Sequence, residues 1–418
     1  IVEPVYIVEV TYGEEPNQIV RTYTTTKTTF TPSIITDQVR LKISIKLGST
    51  NIQSKELVYT SDDMVDYVAF NLFESGNGTQ DSPYRIINVE QFKNLAKRMK
   101  KDEALVNYTE NGMNIEEEEQ YYFSLETSIV LSESGDEESY ISGVLFTGEF
   151  DGIIEGNNNT ITYISSGTSR LSQGILVSEG FVLGPGTETS TTFNYGTSLF
   201  ETLTQTSSIS NLNINVTYGT ANTIIRNHSL MAGLAITNNG KLDNVNLVGF
   251  TNNFVGYVAP NTRIMMVYSG LVSKNEGSAA TISNSGVSTS MILNDGNQSQ
   301  VMFLSGIAFM NFATIEDCSV GGNEDENYSI YITCQKATDT VQVAGVVITN
   351  STSGTLRNCS NYFDITVECT QQQNQASVYI AGVADYGKGT LEGVYNYGNI
   401  STQNIGSSNL HKGDIIVG

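Results

Sequence analysis

The apolar positions of this chain follow two rhythms. Over residues 1–74, the segments PVYIVEVTY, RTYTTTKTTF and VRLKISIKL alternate apolar and polar residues with a period of two. Val39, Leu41, Ile43, Ile45 and Leu47 thereby share one face of a strand. Turn-forming residues at 13–16 and 48–51 separate these segments, which predicts a small β-sandwich or part of one. An incomplete sandwich leaves an edge open to another chain. Residues 75–120 form a lead-in in which Asn88 and Gln91 have the spacing of a capping box. Phe92, Leu95, Ala96 and Met99 follow at helical intervals, ahead of a basic run at 97–101. This short helix suits the role of a cap over the first turn of a stacked structure.

From Tyr121 to Gly418 the apolar runs are short, β-branched and interrupted by Gly and Asn, so no helical period survives. Two marks repeat instead. The first is a glycine after a small residue and before an apolar one: Gly233, Gly270, Gly306, Gly345 and Gly382, separated by 37, 36, 39 and 37 residues. Adding 36 to Gly382 reaches Gly418, so the pattern is expected to continue past the last residue. The second is an apolar-x-Asn element at 209–211, 242–244, 282–284, 315–317, 356–358 and 391–393, with Asp317 and Gly393 replacing Asn in two of them. Such a period predicts a solenoid of roughly 37-residue coils, each burying its apolar face against its neighbours. The fold class is all-β, a parallel β-helix. Each glycine reads as a close-packing position within a strand. The asparagine after the apolar mark suits a left-handed turn and could ladder from coil to coil.

The step from glycine to the next apolar mark is 9–12 residues, whereas the return is 24–30. Insertions such as GGNEDENY and CTQQQNQAS therefore collect in one sector, the expected contact surface. Residues 165–197, rich in Ser, Thr and Gly, read as a long excursion from the pattern.

Composition narrows the function. A net charge of −23 argues against nucleic acid and anionic membrane surfaces, which call for Lys/Arg clusters. No apolar run reaches the length of a membrane span. Cys318 (IEDCS) and Cys359 (LRNCS) occupy equivalent places in successive repeats, as do Cys334 (YITC) and Cys369 (TVEC). Stacked coils hold equivalent residues roughly 4.8 Å apart, within the Cα range of a disulfide. The favoured pairs are Cys318–Cys359 and Cys334–Cys369, either bonded or as stacked thiols. Without a CxxC spacing, cysteine-bound metal is not expected.

Candidate chemistry is sparse. His228 and His411 have no triad-like partners and read as surface residues. Glu149 and Asp151 in FTGEFDG are two apart and could share a strand face as an acid/base pair. Acidic clusters at 116–119, 136–138 and 324–326 offer oxygens to Ca²⁺, yet none matches a known calcium loop, and solvated loop charge is the simpler reading. No cofactor and no catalytic residue is assigned.

The order SGNGTQDSPYRIINVEQFKNLAKRM, YYFSLETSIVLS, FTGEFDGIIEGNNNTITYI and then the small-Gly-apolar repeats resembles bacterial surface proteins with GLUG-type repeats, over about residues 75–418. The resemblance implies a right-handed parallel β-helix on a large secreted or surface-anchored protein, often adhesin-like and sometimes beside a protease domain. IIEGNNN and the 165–197 excursion depart from that pattern. Together these readings lead to an extracellular, non-enzymatic structural or adhesin-like spacer. Its partners would be further copies of itself in a surface fibre, or a host or cell-surface protein or glycan. The alternatives are a β-helix carbohydrate-active enzyme, a lyase or glycosidase, and a glycan-binding module.

Overall fold

The computed structural model describes residues 5–12, 19–25, 38–47, 50–60, 73–76, 78–95, 120–131, 141–177, 190–256, 264–294, 300–323, 325–334, 340–369, 377–403 and 410–412. The described residues up to 76 belong to one compact unit and those from 78 onward to another.

In the first unit the alternating segments form strands Val5–Tyr12, Ile19–Thr25 and Gln38–Leu47, joined by a fourth, Thr50–Thr60. They make one antiparallel sheet in the order second, first, third, fourth. Glu9 lies opposite Lys42 in the register, and their side chains pair at 3.6 Å. Both are exposed, so this pair adds little to stability.

The second unit is a parallel β-solenoid of about seven turns with coils near 37 residues. Its clearest column runs through Phe123, Ile154, Ile209, Leu242, Ile282, Ile315, Leu356 and Leu391, each in register with the next. From Ile209 onward these are the apolar marks of the sequence, and from Phe123 to Leu356 every member of the column is buried. The short helix Val89–Lys93 stands at the start of this unit. Gln91 N donates to Asn88 Oδ1 at 2.9 Å, and Ile87 N donates to Gln91 Oε1 at 2.8 Å, a reciprocal cap displaced by one residue from the usual form. Phe92 packs edge-on against Phe146 of an early coil, with ring centroids 5.3 Å apart. The predicted continuation through Met99 and the basic run lies outside the described residues.

One coil shows how the sequence turns its corners. Strand Gln300–Ser305 leads to Gly306, then Ala308–Asn311, Thr314–Glu316, the corner at Asp317, Ser319–Val320 and finally Ser329–Cys334. The register glycine thus sits at a bend between two strands, not inside one as expected. The reason is steric. A Cβ on Gly233, Gly270, Gly306 or Gly345 would strike the carbonyl oxygen of the equivalent glycine in the next coil. The flanking strands are buried on both faces, which accounts for continuous apolar runs such as VMFLS. One set of their residues, including Val267, Phe303, Phe309 and Ile348, forms a single apolar cluster along the stack.

The second corner fits the expectation closely. Asn211, Asn244, Asn284, Asp317 and Asn358 have φ between 49° and 53°, and Gly393 has 61°. Their side chains bridge coils: Asn244 Nδ2 donates to Asn211 Oδ1 at 2.8 Å, and Asn358 Nδ2 donates to Asp317 Oδ1 at 3.0 Å. Asn284 departs from the ladder by donating to Asp243 Oδ1 at 2.7 Å.

A further ladder went unread in the sequence. Asn238, Asn275, Asn311 and Asn350 are each 0% exposed and follow a register glycine by five residues. Each of the first three donates its amide to the carbonyl oxygen of the next at 2.9 Å, and Asn350 Nδ2 donates to Thr390 O at 3.2 Å. Within the 165–197 excursion, the described strand Ser169–Val177 pairs antiparallel with the start of Thr191–Leu203.

Replacing Asn311 with Ala removes one rung and leaves Asn275 Nδ2 and Asn350 Oδ1 facing a gap. Urea denaturation is expected to show a loss of about 1–3 kcal/mol, the cost of orphaning buried polar groups. Asn358→Gly, which keeps the left-handed corner as Gly393 does, should cost less than 1 kcal/mol, at about the level of one exposed hydrogen bond.

Candidate functional site

The antiparallel strand pair breaks the repeat and lines a partly open recess of about 180 Å³. Strand Val144–Phe150 pairs parallel with Thr191–Leu203, placing Glu149 opposite Thr202. Ser172 of the antiparallel strand lines it together with Ile236, Asn239 and Glu276 of the following coils.

Glu201 is the group most firmly held in this recess. It is 5% exposed, and a buried carboxylate needs donors. Gly148 N donates to Oε2 at 2.9 Å, while Ser172 N and Ser172 Oγ both donate to Oε1. Three elements distant in sequence therefore converge on one side chain. Glu276 pairs with Lys274 Nζ at 2.6 Å, and Lys274 also lies 5.4 Å from the centre of the Phe312 ring. Glu149 stands exposed at the rim. The result is a polar recess with one carboxylate held by protein donors, one exposed carboxylate and one ion pair.

The sequence paired Glu149 with Asp151, but the strand stops at Phe150. Asp151 falls beyond it, exposed and away from the recess lining. The carboxylate brought to Glu149 is Glu201 instead. Local spacing could not reveal this, because the partners of Glu201 lie 53 and 29 residues before it.

Cys318 and Cys359 occupy the same place in adjacent coils, as unbonded thiols. Cys318 Sγ donates to Glu316 O at 3.2 Å, and Cys359 Sγ makes the equivalent bond to Arg357 O at 3.2 Å. Burial pushes the Cys318 thiol well above its ordinary range. Cys334 is opposite Cys369 in the register, and the Cys369 side chain lies outside the described residues. Gly418 lies outside them too, as do the acidic clusters at 116–119 and 136–138 and residue Glu324. Asp325 and Glu326 belong to a turn organised by Asn323, whose Oδ1 accepts from Asp325 N at 2.9 Å. Among the described residues no group of three or more His, Cys, Asp or Glu side chains is placed to hold a metal ion. His228, expected at the surface, is half-buried: its Nδ1 accepts from Met265 N at 3.0 Å, and its ring lies edge-on to Phe193. Burial lowers its pKa from the usual value.

No family model and no curated protein matches the sequence. Among solved structures, a Bacteroides ovatus protein provisionally named an immunoglobulin A1 protease is similar at 15% identity and a TM-score of 0.39, covering 79% of this chain and 80% of that one. A structure named IgA1 protease is similar at 12% identity and a TM-score of 0.38, covering 97% of this chain and 28% of that one. These protease names overturn the expectation that the chain is non-enzymatic, and that exclusion is withdrawn. At such identities and TM-scores the likeness transfers no catalytic residue and assigns no activity.

Two outcomes follow from this geometry. Glu201→Ala leaves Gly148 N and Ser172 N without their acceptor and is expected to lower stability by about 1–3 kcal/mol in chemical denaturation, whereas Glu149→Gln should leave it unchanged. His228, with its folded pKa below the unfolded value, contributes stability that is present above about pH 6.5. That contribution falls away as pH drops through the folded pKa. Denaturation between pH 7.5 and pH 5 should show a shallower pH slope for His228→Phe than for the parent chain.

Proposed function

We propose that this chain is the β-helical presentation module of an extracellular surface protein. In this reading it holds variable loops and outward side chains at fixed positions along a stiff stack. The observation that carries the proposal is the unbroken register from Phe123 to Leu391, fixed at its corners by glycine contacts and asparagine bridges. Such a stack changes slowly along its axis, so neighbouring coils can display a surface larger than one domain face.

Composition supports the same reading. The chain is rich in Asn, Ser and Thr and carries a net charge of −23, which favours solubility without attraction to anionic membranes. The segment order that resembles GLUG-type surface proteins agrees with an adhesin-like role, with a cell-surface protein or glycan as the partner class.

Location and display can be tested together. Immunogold labelling of intact source cells, with brief protease shaving of the same cells, is expected to place the chain on the outside and to release it. Labelling only after permeabilisation would overturn the proposal.

A further inference from the structure

All four cysteines of the chain fall in two neighbouring coils, one running from Gln300–Ser305 to Ser329–Cys334 and the next from Thr340–Ala344 to Asp364–Cys369. Cys318 and Cys334 belong to the first, Cys359 and Cys369 to the second. They meet at two separate places. Beside the corner, Ser319 is in register with Ser360, and Ser360 N donates to Cys318 O at 3.0 Å, so Cys318 and Cys359 hold equivalent positions one coil apart. At the end of the longer strands, Cys334 is in register with Cys369. The corner position is Ser285 one coil earlier and Val394 one coil later, so the cysteines are confined to this one pair of coils.

Equivalent residues of adjoining parallel strands are about 4.8 Å apart, inside the Cα range that a disulfide spans. The corner thiols also point inward together. Cys359 Sγ reaches back to Ile315 O of the earlier coil at 3.5 Å, three residues before Cys318. Cys318 and Cys359 are 2% and 0% exposed, and Cys334 is buried as well.

We infer that two disulfides, Cys318–Cys359 and Cys334–Cys369, clasp these coils together when the chain meets a low-molecular-weight disulfide of the glutathione class. One cysteine thiolate of a pair attacks a sulfur of the oxidant, forming a mixed disulfide and expelling a glutathione thiolate. The second cysteine then attacks the protein sulfur of that mixed disulfide and expels the other. Each bond passes two electrons to the oxidant, and the two thiol protons leave on the two glutathione thiols. Burial holds the folded Cys318 thiol protonated, so exchange belongs to the assembling or opened coil. The clasp bears on the surface too. GGNEDENY lies between Cys318 and Cys334 and CTQQQNQAS begins at Cys369, so the two joined coils are the ones from which these insertions depart.

The inference rests on the extracellular reading only for the presence of an oxidant, and the purified full chain in a defined redox buffer tests it apart from location. The chain is unfolded in urea, refolded either with reduced and oxidised glutathione or with dithiothreitol, and alkylated under denaturing conditions. Intact mass is expected to show no alkylated cysteine after the first treatment and four after the second. Proteolytic mapping should recover the Cys318–Cys359 and Cys334–Cys369 linked peptides, and the oxidised chain should melt several degrees above the reduced one. Serine already serves at the equivalent Ser285, whose Oγ donates to Ser283 O at 2.6 Å, and the inward neighbours of Cys334 are Ile330 and Ile332. The double variant Cys318→Ser, Cys334→Val is therefore expected to fold and to melt at one temperature in both buffers. Thiols that stay free after oxidative refolding at either pair overturn the inference. So do any other pairing, links between separate chains, or a parent melting temperature indifferent to the buffer.

Discussion

A solenoid stands or falls on whether each coil can lie directly on the one before it, and in this protein that closeness is set at the corners. At Gly233, Gly270, Gly306 and Gly345 the backbone of one coil approaches a carbonyl of the next within the space a methyl group would fill. No side chain can be accommodated without parting the coils. Once the corners are seated, hydrogen bonds between parallel strands form along the straight segments and the apolar columns fall into contact. The asparagine ladders act in the same direction. Each amide satisfies a buried neighbour one coil away, so a shift in register would orphan a row of polar groups rather than one.

This dependence explains which parts of the fold could be read from the sequence. A constraint repeated in every coil leaves a periodic trace, and the glycine and apolar-x-Asn marks are that trace. The left-handed corners were legible because few residues besides glycine adopt such backbone readily, and Asn and Asp are among them. The buried ladder from Asn238 to Asn350 left an equally regular trace five residues after each glycine. It is hidden in a chain so rich in asparagine, since nothing local separates a buried amide from a turn. Strand Thr50–Thr60 was missed for another reason: NIQSKELVYT does not alternate cleanly, and its pairing with Gln38–Leu47 is what makes it a strand.

The candidate site was illegible because it belongs to no repeat. Glu201 sits in FETLT, an unremarkable strand pattern, and its meaning comes from Gly148 and Ser172, which only the fold brings near. The antiparallel strand pair at 169–177 and 191–197 is the device that does this. It adds antiparallel pairing beside a parallel stack and lines a recess with polar groups that a regular coil would leave in solvent. The excursion stands out in the sequence only as a break in the pattern, since an insertion has no period to interpret.

Division of labour between inward and outward positions then decides where new function can arise. Inward residues are fixed by columns and ladders shared with two neighbouring coils, and a change there is felt along the stack. Outward residues on the same strands touch solvent and at most the coil on either side. Ser319, Ser360 and Tyr395 occupy one such outward column. The inward neighbours in these coils remain Val320, Asn361 and Asn396, which hold the backbone in place whatever stands outside. At such a position a serine can give way to a tyrosine while the inward neighbours keep their pairing. Rigid backbone beneath and free choice above are the conditions under which a repeat protein acquires a specific partner.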